Sequence, residues 1–107
     1  MGDTNYVGSI VKILENPIQK LLTDTVVRTE FRVQIPQVRN RKSKIVKVVC
    51  WGNLARDVKN YYRVNDYIMI EGYLSLRDKM KSTNRLGKQN LKQVQITVLK
   101  TYFIKNG

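Results

Sequence analysis

The sequence predicts an all-β domain, a five-stranded barrel with one short helix between its third and fourth strands. Three observations carry that expectation. Stretches of alternating apolar and polar residues recur along the chain with turn residues between them. The apolar run Val48-Val49-Cys50-Trp51 stops at Gly52 and gives way to a helical pattern. Ile70-Glu71-Gly72 then sets a glycine inside the next strand, where a small barrel has to bend or bulge.

The first strand runs from Tyr6 to about Leu14, rich in Val and Ile, and ends at Glu15-Asn16-Pro17. Proline lacks the N–H that a continuing ladder needs, so a turn opens there. From about Val26 to Ile35 the pattern alternates, with Thr29, Phe31, Val33 and Ile35 on one face and Arg28, Glu30, Arg32 and Gln34 on the other. That is a half-buried strand. Residues 36 to 44 break the pattern with proline, asparagine, serine and four basic residues, as a hairpin loop does. Ile45 to Trp51 forms the third strand, with Val46, Val48 and Cys50 on the core face and Ile45, Lys47, Val49 and Trp51 on the other. Asn53 is placed to cap a helix, and Leu54, Val58 and Tyr61 follow at helical spacing up to about Arg63. Asn65-Asp66 supplies a turn. The fourth strand, Tyr67 to about Arg77, sets Ile68, Ile70, Leu74 and Leu76 inward. Residues 78 to 90 are polar and basic. The last strand, about Leu91 to Ile104, sets Val94, Ile96 and Val98 inward.

Composition narrows the function. A chain of 107 residues, 42% of them hydrophobic, makes one domain over 1–107 with a core of its own. No apolar run approaches the roughly 18 residues needed to cross a bilayer, and no secretory leader is visible, so the expectation is a soluble, intracellular protein that does not act at a membrane. One cysteine and no histidine leave no metal site or disulfide to expect, and Cys50 reads as a small core residue. The acids Asp3, Glu15, Asp24, Glu30, Asp57, Asp66, Glu71 and Asp78 are scattered, and no glycine-rich phosphate loop occurs. No catalytic set can be assembled, so neither an enzyme nor a cofactor is expected.

Twenty Lys and Arg against eight Asp and Glu give a net charge of +12, a field that attracts polyanions. Half of those cations fall in two segments: Arg39, Arg41, Lys42 and Lys44 in the first hairpin, and Arg77, Lys79, Lys81, Arg85, Lys88 and Lys92 in and around the second. In a small barrel these hairpins flank one face. Aromatic rings supply the stacking that single-stranded bases accept whatever their sequence. Trp51, on one strand face with Lys47, is the first candidate and Tyr73 the second. For both, packing or an oligomer contact is the other reading. Tyr61 and Tyr62, on the helix, read as packing residues, while Tyr6, Tyr67, Tyr102 and Phe103 are strand-end residues without an assigned place. The outer apolar residues Ile45, Val49, Tyr73 and Leu99 suggest a self-associating chain.

In order and spacing, Glu15-Asn16-Pro17, Thr29-Glu30-Phe31-Arg32-Val33, Val48-Val49-Cys50-Trp51-Gly52-Asn53-Leu54-Ala55, Tyr61 and Ile70-Glu71-Gly72-Tyr73-Leu74 resemble the bacterial and organellar single-stranded DNA-binding proteins. The resemblance spans about Asn5 to Ile104. It implies an oligonucleotide-binding barrel (OB-fold) that binds single strands without sequence preference, in replication, recombination or repair, as a homodimer or homotetramer. By position, Lys47 and Trp51 match the third-strand DNA contacts of the family. Arg39, Ile45 and Lys79 stand where many members carry stacking tryptophans, and Val11 stands at a usual glycine. The chain shows no flexible linker or acidic C-terminal tip. In this it resembles short tail-less members, such as the primosomal replication protein of bacteria and small members encoded in plastid genomes. The implied places are the nucleoid in bacterial cytoplasm or the plastid stroma. A replication-accessory module using the same fold mainly for protein contacts is the alternative. RNA remains open beside DNA.

Overall fold

The computed structural model describes residues 5–36, 43–79 and 91–107, and of residues 43, 77–79 and 91–93 the backbone alone. The elements, in order, are β1 (Tyr6–Ile13), β2 (Ile18–Leu21), β3 (Val27–Pro36), β4 (Ser43–Trp51), α1 (Gly52–Tyr61), β5 (Tyr67–Lys79) and β6 (Leu91–Lys105). The sheet order is β1-β5-β6-β4-β3-β2, and a further β1–β3 pairing closes five of the strands into a barrel. All pairings are antiparallel except β4–β6, which is parallel. The helix lies between β4 and β5 in the chain, so the expected order of five barrel strands and one helix is the observed one.

β2 is the addition. Its four residues are all exposed, so no burial pattern marks it in the sequence. It forms because β3 offers a free ladder, pairing Ile18 with Glu30 and Lys20 with Arg28. The turn back into β3 is held by Thr23, whose Oγ1 accepts from the N–H groups of Thr25 and Val26.

The alternation of β3 and β4 fills the barrel. Val27, Phe31 and Val33 meet Val46, Val48 and Cys50, joined by Val11, Ile13, Ile68, Ile70, Ile96 and Val98 from the other strands. Burying each such aliphatic or aromatic side chain contributes about 1.5–3 kcal/mol before entropy is counted. Thr29, also inward and fully buried, donates its hydroxyl to the Ala55 carbonyl at 2.8 Å and so fastens α1 to β3. Ala55 and Val58 are the buried helix residues.

Several expectations are corrected. Leu76 is 61% exposed, because β5 and β6 run on as a two-stranded ribbon past the end of the core. Val49 points outward as expected but is buried, at the centre of the wall where β4 is flanked on both sides, by Glu30 of β3 and Thr97 of β6 in the register. The helix begins one residue before Asn53: Gly52, at φ 64°, turns the chain, and Trp51 is the N-cap without a side-chain bond. Asn53 instead accepts from Arg56 at 3.4 Å. Tyr61 is 70% exposed. Tyr62, extended just past the helix, is the one that packs, stacking on Phe103 at 6.4 Å and sharing a 2.9 Å hydrogen bond with Thr101.

Gly72 is the bend. The β5–β6 register shifts between Glu71 and Gly72, leaving Leu99 as the extra residue of a bulge. A Cβ at Gly72 would run into the Thr97 carbonyl oxygen, so only glycine lets the two strands approach this closely. Asn65 supplies the positive φ, 76°, of the turn before β5, and Asp66 Oδ2 accepts from the Arg63 N–H at 2.9 Å. Among the described residues no helix is long and apolar enough to cross a membrane.

Candidate nucleic-acid interface

Strand register sorts the outward side chains into rows. Pairing sets Lys20 opposite Arg28, and Arg28 opposite Trp51, across β2, β3 and β4. The next row runs Ile18, Glu30, Val49, Thr97, Tyr73, Tyr6 across all six strands. A third runs Arg32, Lys47, Gln95, Ser75. Because side chains alternate along a strand, these rows all point to the outside of the barrel wall, and those on neighbouring strands lie side by side. Lys47 and Trp51 thus lie on the outer side of β4 beside Arg32 and Arg28 of β3, while Tyr73 lies two strands further round the barrel and is not brought to them.

Trp51 is 43% exposed, so part of its ring is open. The Arg28 guanidinium lies over it, 5.6 Å from the ring centroid. Such a cation fixes the ring while leaving its remaining surface to another flat group. Arg28 Nη2 also pairs with Glu30 Oε2 at 2.7 Å, and Lys47 Nζ with Glu30 Oε1 at 2.7 Å. The Glu30 side chain is only 15% exposed between them. Burial by itself pushes the Glu30 carboxyl up. The hydrogen bond from Lys47 and the charges of Lys47, Arg28 and Lys20 outweigh it and hold the carboxyl below its ordinary value. Arg32 forks onto Glu15, with Nη2 at 3.0 Å and Nε at 3.2 Å from Oε1, while its backbone N–H donates to Oε2 at 2.9 Å. A cleft of about 280 Å³ opens here, lined by Glu15, Ile18, Lys20, Glu30, Phe31, Arg32 and Lys47.

Tyr73, 51% exposed, is contacted edge-on by Tyr6 at 5.5 Å between centroids. Tyr6 donates its hydroxyl to Glu71 Oε1 at 2.8 Å, which pushes the phenol's pKa up. Tyr67 sits between two cations, Lys12 at 5.9 Å and Lys105 at 5.2 Å from its centroid. Tyr102 and Phe103 are about half exposed.

Lys44 is exposed, but it shares strand parity with Val46 and Val48 and so lies on the opposite side of β4 from Lys47. Arg77 and Lys79 belong to β5, paired with Gln93 and Leu91, where the sequence suggests the edge of a loop. Arg39, Arg41, Lys42, Lys81, Arg85 and Lys88 lie outside the described residues. The face holds three cations that loop counting missed: Lys20, Arg28 and Arg32. Arg28 and Arg32 were readable as outward residues of an alternating strand. Their place beside Trp51 and Lys47 needs the β3–β4 register.

Residues 7–104 match the sequence model of the Single-strand binding protein family. A protein of Trieres chinensis, ycf41, named for single-stranded DNA binding, is 39% identical over 101 residues, which cover 92% of this chain and 87% of that one. The thylakoid-associated single-stranded DNA-binding protein slr1034 of Synechocystis sp. is 44% identical over 48 residues, 44% of this chain and 37% of that one. Among solved structures, the SSB domain of a Synechococcus sp. protein superposes with a TM-score of 0.71 at 24% identity, covering 95% and 98% of the two chains; this is a likeness of fold. The second single-stranded DNA-binding protein (SSBb) of Mycobacterium smegmatis superposes at 0.69 with 26% identity, covering 92% and 87%.

Proposed function

We infer from the fact that the chain belongs to the single-strand binding protein family that it binds single-stranded DNA without regard to sequence, by charge first and stacking second. The observation that carries this reading is the outer side of β2, β3 and β4, where Arg28 lies over a half-open Trp51 and the register adds Lys20 and Lys47 on the strands either side of Arg28; Tyr73, two strands further round, is a second stacking candidate. Cations on such a face neutralise phosphates, and the ring accepts any base. Arg39, Arg41, Lys42, Arg77, Lys79, Lys81, Arg85 and Lys88 extend the positive field along the same ligand. The protein serves replication, recombination or repair as a binding protein without catalysis.

We further assign it to a homo-oligomer. Tyr6, Ile10 and Tyr102 are each near half exposed, and register puts them on the outer side of β1 and β6. That is much apolar surface for one small subunit. The thylakoid-associated relative supports a place in plastid stroma or bacterial cytoplasm.

The test is a titration of oligo-dT, duplex DNA and oligo-U followed by Trp51 fluorescence, the protein's one tryptophan. Saturable quenching by oligo-dT, with weak response to duplex, is the expected result. Binding to oligo-U as tight as to oligo-dT turns the ligand into single strands in general. No binding by either leaves the accessory-module reading.

A further inference from the structure

Glu30 is a carboxylate in the middle of a basic face, and its geometry is that of an occupied anion seat. One oxygen takes Lys47 Nζ and the other Arg28 Nη2, both at 2.7 Å, and the group is 15% exposed. A phosphodiester presents the same pair of charged oxygens and would be held by the same two cations. The cations belong to the outer wall for other reasons: Arg28 lies against the Trp51 ring, and Lys47 lines the cleft that also holds Lys20 and Arg32. Arg28 Nε is buried without a hydrogen-bond partner, so the guanidinium is not satisfied by Glu30 alone.

We propose that Glu30 is a built-in competitor of the strand: it occupies the Arg28–Lys47 seat in the free protein, and a phosphate of the bound strand displaces it. This rests on the single-strand-binding reading. Displacement costs the protein two ion pairs, so the carboxylate lowers affinity for every strand that uses the seat. Once displaced, Glu30 loses the cations that keep it ionised, and binding takes up a proton in mildly acidic solution. The charged groups that face it are Arg28 on its own strand, Lys47 on β4 and Lys20 on β2, with the Arg32–Glu15 pair lining the same cleft.

The experiment measures oligo-dT affinity of the wild type, Glu30→Gln and Glu30→Asp at fixed salt, at neutral pH and at about pH 5. Thymine is used because it does not titrate over that range. Glu30→Gln should bind about fivefold tighter at neutral pH, the size of effect a partly exposed ion pair supports. It should also lose part of the gain in affinity that the wild type shows on acidification. Glu30→Asp, which keeps the charge, should stay near the wild type. Glu30→Ala serves as a second neutral variant, with circular dichroism confirming the fold of each. Weaker or unchanged binding by the folded neutral variants overturns the proposal, since Glu30 would then hold Arg28 and Lys47 in place for the strand. An identical pH response in wild type and Glu30→Gln also overturns it. A wild type that binds no oligo-dT removes the single-strand reading and this inference with it.

Discussion

Trp51 joins the fold and the proposed site through two different parts of one residue. Its backbone closes β4 and caps α1, while its ring lies outside the core under Arg28. Trp51→Ala should therefore keep the fold and lose about 1–3 kcal/mol of binding, the usual worth of one stacked base. Trp51→Phe should restore most of that, and fluorescence anisotropy of labelled oligo-dT reads both. A Phe variant as weak as the Ala variant, still folded, would exclude stacking. Glu30 makes a prediction about stability. Its folded-state carboxyl is held below the ordinary range, so its stabilising contribution is present above that range and lost as pH falls through the lowered value. Melting temperature should drop on acidification, and drop less in Glu30→Gln. Cys50 is fully buried, and burial pushes its thiol up to about 12. It should resist thiol reagents in the native protein and react at once in denaturant.

At the scale of elements, two glycines decide how strands end and bend. Gly52, at φ 64°, stops β4 and starts α1, and Gly52→Ala should cost about 1–2 kcal/mol through the left-handed backbone alone, since space is open around it. Gly72→Ala should cost more, at least about 2 kcal/mol, because the new methyl meets the backbone of β6 and not a movable side chain. Denaturant unfolding of the two variants gives the order. An equal cost would mean that the bulge relaxes around the methyl. The hairpin of β2 and β3 brings Ile18 and Lys20 to the face although every residue of β2 is exposed, so changes there should alter binding and leave stability nearly untouched.

For the whole molecule, charge sets the expected behaviour. With a net charge of +12, affinity for oligo-dT should fall steeply with ionic strength, with a log–log slope of about −0.7 for each single-strand phosphate neutralised. Replacing Lys79, Lys81 and Lys88 together by alanine should weaken binding and flatten that slope; an unchanged slope would take this segment out of the interface. The exposed aromatics of β1 and β6 predict a dimer or tetramer by analytical ultracentrifugation. A clean monomer at micromolar concentration would contradict the assignment.

The sequence alone determined what local pattern can encode. Alternation in β3 and β4 named their core faces correctly, because a strand's period is fixed by backbone geometry. Trp51-Gly52 and Gly72 marked the strand end and the bulge, because a positive φ favours glycine at the first and close backbone approach requires it at the second. The outward side of Trp51 and Lys47 followed from the same alternation. What tertiary structure decided depends on partners far along the chain. β2 exists only through β3, Leu76 is exposed because the ribbon outruns the core, and Val49 is buried by its neighbours. The join of Arg28, Glu30 and Lys47 at 2.7 Å beside Trp51 is likewise a matter of register between β3 and β4. A single-residue slip would turn those side chains to the other face. Alternation shows which residues face outward, but pairing decides which outward residues meet.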